Sequence, residues 1–208
     1  MTTRSERSNQ KRRQIRAAAQ RLFLASGVAA TSMDAITLEA GVSKQTVYAY
    51  YPSKDALLAD VLETLMAQRT AAWDAEHQPA HPLRTRAEVA TELTGYAESV
   101  VDTLLQPEYL GLARVIVAES GRNPKLGALF REAVSGPIIA GTARLVARGI
   151  AGGALRPVPV EDAGRLLVGS LLTYTLLDGL LRPDGPRQPP AGAVARLVAL
   201  LCDGLAAR

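Results

Sequence analysis

Residues 31–54 read TSMDAITLEAGVSKQTVYAYYPSK, and no other stretch constrains the fold so tightly. Ser32, Ser43 and Ser53 each stand at the start of a helix-forming run. A hydroxyl in that place can accept the unpaired N–H groups of a first helical turn. Between the first two runs lies Ala40-Gly41-Val42. Glycine reaches a positive φ cheaply, so Gly41 can end one helix and turn the chain sharply into the next. The pattern predicts a helix from Ser32 with Ala35, Ile36 and Leu38 inward, a turn anchored by Val42, and a second helix from Ser43 through Tyr50. Pro52-Ser53 interrupts, and a third helix follows. Ala35, Ile36, Ala40, Val42 and Val47 supply the small core between the first two. This is a helix-turn-helix, in which a short helix is held across a tight turn by a rigid neighbour.

The rest of the chain reads as helix throughout. Ile15, Ala18, Ala19, Leu22 and Phe23 recur at helical spacing in Gln10–Ser26, which Gly27 closes, and residues 1–8 are expected to be disordered. Ser53 opens a long helix with a stripe of Leu57, Leu58, Val61, Leu62, Leu65 and Met66 that could run to about residue 75. His77–Pro82 is a linker. Further helices are expected from about Thr85 to Leu105, from Pro107, and after Asn123-Pro124. Gly136-Pro137 should kink or split that last one before it runs to Ile150. Residues 161–182 and 192–206 close the chain. With no strand-like alternation and no internal repeat, the expectation is an all-α fold of about nine helices. It comprises a helix-turn-helix domain over residues 1–54 and a larger helical domain over residues 55–208.

Charge divides the chain at the same place. Residues 1–54 carry nine Lys/Arg against three Asp/Glu, a net +6, while residues 55–208 carry a net −2. An anionic partner is therefore expected for the N-terminal part alone. The lone Cys202 offers neither an intrachain disulfide nor a thiolate cluster and reads as a small buried residue. Both histidines, His77 and His81, fall in the linker, and no nucleophile stands in a pattern with a base. No phosphate-cradling glycine loop and no metal-ligand spacing occurs. No enzymatic activity, cofactor or metal is expected. The N-terminus has no apolar segment of a secretory signal, and the apolar run Leu166–Leu177, about 12 residues, is too short for a bilayer. A cytoplasmic protein without membrane contact is expected.

On the second helix of the motif the outward positions are Ser43, Lys44, Gln45, Thr46, Tyr48 and Tyr50. Hydroxyls, an amide and an ammonium can bond phosphates and base edges. The segment closely resembles the DNA-binding domain of the TetR/AcrR family of transcription regulators. The shared points are Phe23, Gly27, Thr31-Ser32, Ile36, Ala40-Gly41-Val42-Ser43, Thr46-Val47-Tyr48, an aromatic at Tyr51 and Ser53-Lys54, over about the first 60 residues. The resemblance implies phosphate contacts from Thr31, Ser32 and Lys54. It places Ser43, Lys44, Gln45 and Thr46 in or beside a major groove, and lets Tyr48 and Tyr50 reach backbone or bases. Tyr51 stands where the family has Phe and should still pack inward. Gln45, often Gly in the family, and Ala49, often larger, bear on which operator is preferred.

The same resemblance implies a homodimer on a near-palindromic double-stranded operator, with half-sites about 34–36 Å or a multiple apart. In the family the last two helices pair with their copies, here about 161–181 and 192–206. The first is apolar on nearly all sides, which one small domain can hardly cover and a second subunit can. Gly164 and Gly169 could allow close approach. A small-molecule effector pocket is implied in the larger domain, where Leu112–Ala133 is similar to a C-terminal domain type of some members. Polar groups on apolar helices are the candidates for it: Tyr96, Glu119, Thr173, Tyr174 and Asp178, with Trp73 and Tyr109 also possible. Two Phe and one Trp leave little for an aromatic cage, so an apolar or small amphipathic effector fits better. The fourth helix, from Ser53, joins the domains and is the expected lever by which an effector would lower DNA affinity. The reading is a repressor released by its ligand. The alternative is an architectural or protein-interaction factor that binds DNA without an effector.

Overall fold

The helix boundaries follow the local signals closely. The computed structural model describes the backbone of residues 4–76, 81–182 and 184–205, and the side chains of residues 6–66, 81–182 and 184–205. The helices are α1 (Arg4–Ala30), α2 (Met33–Ala40), α3 (Lys44–Tyr50), α4 (Lys54–Glu76), α5 (Arg86–Leu104), α6 (Pro107–Ser120), α7 (Pro124–Phe130), α8 (Gly136–Ala151), α9 (Val160–Tyr174) and α10 (Ala193–Leu205). One π turn, Arg131–Ser135, carries α7 into α8, and another, Thr175–Leu180, extends α9. Counting α7, the π turn and α8 as one uninterrupted helical run gives nine, with no strand among the described residues. Gly136-Pro137 does not split its helix. Pro137 has no N–H to give and its ring crowds the preceding turn, and the widened turn sits directly before it. α1 begins well before Gln10, so residues 4–8, expected to be disordered, are helical.

The chain forms two compact units. The first comprises Met1–Leu65 and Gly111–Ala133. Its core is Ile15, Ala18, Ala19 and Phe23 of α1, Ile36 and Ala40 of α2, Val47 of α3, Tyr51, and Leu57, Leu58, Val61 and Leu62 of α4. Leu112, Ile116 and Leu126 are buried in the same unit. Leu38, expected inward, is 85% exposed. In a helix of two turns Ile36 and Ala40 fill the one buried row, and Leu38 lies on the opposite side of it.

The second unit comprises Met66–Leu110 and Val134–Arg208. α5 opens with a reciprocal cap: Glu88 N–H donates to Thr85 Oγ1, and the Glu88 carboxylate accepts from the Thr85 N–H. Val89, Leu93, Tyr96, Ala97, Val100, Val101 and Leu104 of α5 face a core shared with α8, α9 and α10. Gly164 lies against α8, where a Cβ would stand 3.0 Å from the Ile139 carbonyl oxygen. It therefore serves packing within this chain, while Gly169 is open. α9 buries Ala163, Gly164, Leu167, Val168 and Leu171 along one side. It leaves Leu166, Leu172, Leu176 and Leu177 exposed on the other, with Leu181 just beyond its end and Leu200 on α10. Among the described residues no helix is long and apolar enough to cross a membrane.

Candidate nucleic-acid interface

The motif is built by short-range caps. Ser32 Oγ accepts from Ala35 N–H at 3.0 Å, Ser43 Oγ from Thr46 N–H at 3.2 Å, and Ser53 Oγ from Ala56 N–H at 3.1 Å. Gly41 sits at φ 63°, ψ 33°, and its N–H closes on Leu38 O, so a left-handed residue ends α2 as its sequence demands. Val47 is the buried residue of α3 and holds that helix down. What remains outward is Ser43, Lys44, Gln45, Tyr48 and Ala49, fully on the surface, with Thr46 and Tyr50 half-buried beside them.

This face is cationic and polar. Lys44 Nζ pairs with Asp34 Oδ1 of α2 at 2.7 Å and lies 6.0 Å from the Tyr48 ring centroid. The hydrogen bond and charge of Asp34 raise the Lys44 pKa, so it stays cationic. Both partners are well exposed, and such a pair yields readily to a stronger anion. Tyr48 is 44% exposed. Ser43 and Thr46 hydroxyls share a 2.8 Å bond, and Tyr50 Oη shares one of 3.0 Å with Ser8 Oγ of α1.

Beneath α3 lies a polar cluster that was not anticipated. Tyr51 is buried, as expected of an aromatic there, but its hydroxyl donates to Asp60 Oδ2 at 2.5 Å. Arg12 donates to Asp60 Oδ1 at 2.8 Å and to Tyr51 Oη at 3.3 Å, and Arg16 donates to Asp60 Oδ2 at 3.2 Å. Burial, then the bond to Asp60, pushes the Tyr51 hydroxyl up to about 12. Burial works against ionisation of Asp60, yet the Tyr51 hydroxyl and the two guanidinium groups hold its carboxyl below the usual carboxylate range. A tyrosine in a phenylalanine position, with two arginines four apart on α1, was the available signal, since a buried phenol needs a partner.

Two of the nine expected DNA contacts are turned inward. Thr31 is 4% exposed, and its hydroxyl donates to Gly27 O at 2.7 Å and Leu22 O at 3.3 Å. Lys54 Nζ donates to the carbonyls of Val28 at 2.5 Å, Thr31 at 2.7 Å and Ala29 at 3.3 Å. All three donors of the ammonium are thus spent on the turn between α1 and α2. α1 is kinked at Gly27, at φ 83° and ψ 164°, and the short stretch 28–30 beyond the kink leads into that turn. On its other side Glu119 of α6 accepts from Ala29 N–H at 2.8 Å. A Cβ on Gly27 would stand 2.5 Å from Glu119 Oε1.

The expected effector residues are not gathered in one place. Glu119 belongs to the first unit, at that turn. Tyr96 is buried in the second, its hydroxyl donating to Ile138 O at 3.1 Å. Thr173 lies exposed on α9 and donates to Gly169 O, away from any interior. Tyr174 and Asp178 are half-buried, and Tyr109 is fully buried, its phenol pushed up by desolvation. The Trp73 side chain and His77 lie outside the described residues. A cleft of 460 Å³ between α8 and α9 is lined by Ile139, Ala140, Ala143 and Ala147 with Arg144 and Arg165. A second of 230 Å³ lies beside α5, against residues 188–194. None of the five candidates lines either. Among the described residues no group of three or more His, Cys, Asp or Glu could hold a metal.

Residues 15–61 match the family described as bacterial regulatory proteins, tetR family, and residues 91–202 match the C-terminal domain of AefR-like transcriptional repressors. The HTH-type transcriptional regulator EthR of Mycolicibacterium smegmatis is 38% identical over 72 residues, which is 34% of this chain and 33% of that regulator. The match therefore spans about a third of EthR's length. Among solved structures, the flavonoid-responsive regulator FrrA is 28% identical with a TM-score of 0.71, over 96% of this chain and 99% of that one. A TetR transcription regulator from Agrobacterium tumefaciens shares the fold, with a TM-score of 0.67 over 94% of both chains at 22% identity.

Proposed function

This chain belongs to the TetR family of bacterial DNA-binding transcription regulators, and from that premise we propose that it is a homodimeric, ligand-released repressor. Members of the family bind operator DNA as dimers, respond to small molecules and are not enzymes. The observation that carries the reading is α3 itself. It is a seven-residue helix, capped at Ser43, set by the left-handed Gly41 and showing polar and aromatic groups outward with the small Ala49 among them. In this reading residues 1–54 make the DNA contacts, and residues 55–208 hold the effector and the dimer contact. Ser43, Lys44, Gln45, Thr46, Tyr48 and Tyr50 face the major groove and its edges, with Ser32 at the adjacent phosphates. Thr31 and Lys54 act by position, because their polar groups fix the turn that leads into α2.

The exposed leucine side of α9, with the end of α10, is the dimer contact, since leaving Leu166, Leu176, Leu177, Leu181 and Leu200 in water is costly. The dimer places two α3 helices on a near-palindrome. The effector is small and largely apolar and binds in the second unit near Tyr96, which is buried between α5 and α8 with its hydroxyl on Ile138 O. That FrrA is flavonoid-responsive supports a small-molecule input. A cytoplasmic location follows from the role.

Selection of bound fragments from a random DNA pool, scored by fluorescence anisotropy, tests the proposal. A near-palindrome bound tightly by the wild type and lost in Lys44→Ala and Tyr48→Ala is the expected result. Equal, weak binding by all three proteins with no enriched site would refute it.

A further inference from the structure

α1 does more than cap the motif. It extends two turns beyond Gln10, to Arg4, and is tied at two successive points to the end of α3 and to the residues that follow it. Ser8 Oγ bonds Tyr50 Oη at 3.0 Å, and one turn later Arg12 reaches Tyr51 and Asp60. The anchored side of α1 therefore crosses the C-terminal end of α3. Beside that anchored side stand Arg7 and Lys11, four residues and so about 6 Å apart along the helix axis. Both are exposed. Neither has a partner among the described residues, whereas Arg12, Arg16 and Arg21 are all paired with carboxylates. Glu6 is the sole acidic residue before Asp34. Two free cations, on the side of α1 next to the one that bonds Tyr50, are placed for a polyanion that continues past the bases α3 reads.

We propose that the N-terminal turns of α1 form a second DNA contact, in which Arg7 and Lys11 neutralise backbone phosphates flanking each half-site. The proposal rests on the reading that α3 docks in the major groove. Double-stranded DNA carries a negative charge about every 3.4 Å along each strand, so two cations about 6 Å apart meet phosphates one or two nucleotides apart. Such contacts add affinity and position but carry no base preference. Each neutralised phosphate steepens the dependence of log K on log salt by about 0.9. Two contacts thus favour binding by about 30-fold per protomer at 0.15 M salt relative to 1 M. The segment lengthens each half-site without altering the sequence read.

The test uses the full chain and the site it selects, with anisotropy titrations at several salt concentrations. The variants are Arg7→Ala/Lys11→Ala, Arg13→Ala as a control on the opposite side of α1, and Lys44→Ala for the recognition helix. The double variant should bind about 30-fold more weakly per protomer, with a salt slope shallower by about 1.8 and the same enriched sequence. Arg13→Ala should match the wild type. On a duplex trimmed to the bases α3 reads, the wild type should fall to the double variant's affinity. Wild-type affinity and slope in the double variant, with binding lost in Lys44→Ala, would overturn this proposal and leave the docking of α3 standing. Wild-type binding in Lys44→Ala, or no enriched site at all, would overturn the docking and this proposal with it.

Discussion

Lys54→Met separates two roles for a residue that the family resemblance assigns to phosphate and the structure turns inward. The ammonium gives its three donors to the carbonyls of Val28, Thr31 and Ala29. A hydrogen bond from a charged group contributes about 1.5–3 kcal/mol net. The 3.3 Å bond to Ala29 is long and exposed and adds little. The other two reach part-buried carbonyls, but Lys54 is itself half-exposed and water can replace some of what is lost. A total of about 2 kcal/mol is left, or roughly 4–8 °C in Tm for a chain of this size. Methionine keeps the apolar stem, so packing changes little. Calorimetry then gives the stability, and operator titrations at several salt concentrations give the slope. If Lys54 pins the turn, Tm falls by that amount, affinity falls because α2 is less well placed, and the salt slope stays that of the wild type. If Lys54 meets phosphate, the slope becomes shallower by about 0.9 per protomer and Tm holds. An unchanged Tm with the shallower slope would refute the reasoning.

The cluster under α3 is a stability element with a pH signature. Asp60→Asn should cost about 2 kcal/mol at neutral pH, less than a fully buried pair because Arg12 is half in water. The carboxyl is held below its unfolded value, so its contribution is present above about pH 4 and is lost as pH falls through the folded value. Denaturant curves of the two proteins should therefore draw together as the pH is lowered, and a gap that stays constant from neutral pH into acid would count against the ion pairs. For the dimer, Leu166→Glu/Leu177→Glu places charge on the exposed side of α9, where those residues are 62% and 55% exposed. Sedimentation should show monomers whose helix content is unchanged, with operator affinity down by at least about tenfold; a dimer that survives both charges would mean another surface pairs.

What was legible in the sequence is what forms within one turn of chain. The serine caps and the left-handed Gly41 each depend on residues three or four apart, and all four stand as read. Tyr51 packs inward because its position in the motif fixes its side. The amphipathic stripe of α4 holds for Leu57, Leu58, Val61 and Leu62 because a long helix averages its periodicity over many residues, whereas α2 is too short to do so and Leu38 was misplaced. Pairings across the fold were not legible. Lys54 meets Val28 26 residues away, Arg12 meets Asp60 48 away, and Glu119 meets Ala29 90 away. A charged side chain carries no mark in sequence that tells a phosphate from a backbone carbonyl, since both are anionic or partly negative oxygens at hydrogen-bond distance. The distinction lies in which helices pack, and that is decided by the apolar residues between them.

Glu119 makes the same point with the opposite charge, and it can be decided by experiment. A carboxylate on α6, beside Val115, Ile116 and Val117, reads as an effector group in sequence, but it accepts from Ala29 N–H on the turn that Lys54 holds from the carbonyl side. Thr31 closes the turn from within. Four residues of backbone, 28–31, are thus fixed by α1, α4 and α6 directly before Ser32 caps α2, so the placement of the DNA-binding pair is set here. Ala29 is exposed, so water can take over its N–H, and Glu119→Ala should cost only about 1 kcal/mol of stability. Its effect on operator affinity should be proportionately larger than that of a comparably destabilising core change such as Ile15→Val, about 1 kcal/mol at a fully buried site, because it frees the turn. Glu119→Gln keeps an acceptor oxygen and should recover most of the loss. Equal loss in the alanine and glutamine variants would place the weight on charge, and an alanine variant with wild-type stability and DNA affinity but an altered effector response would return Glu119 to the pocket.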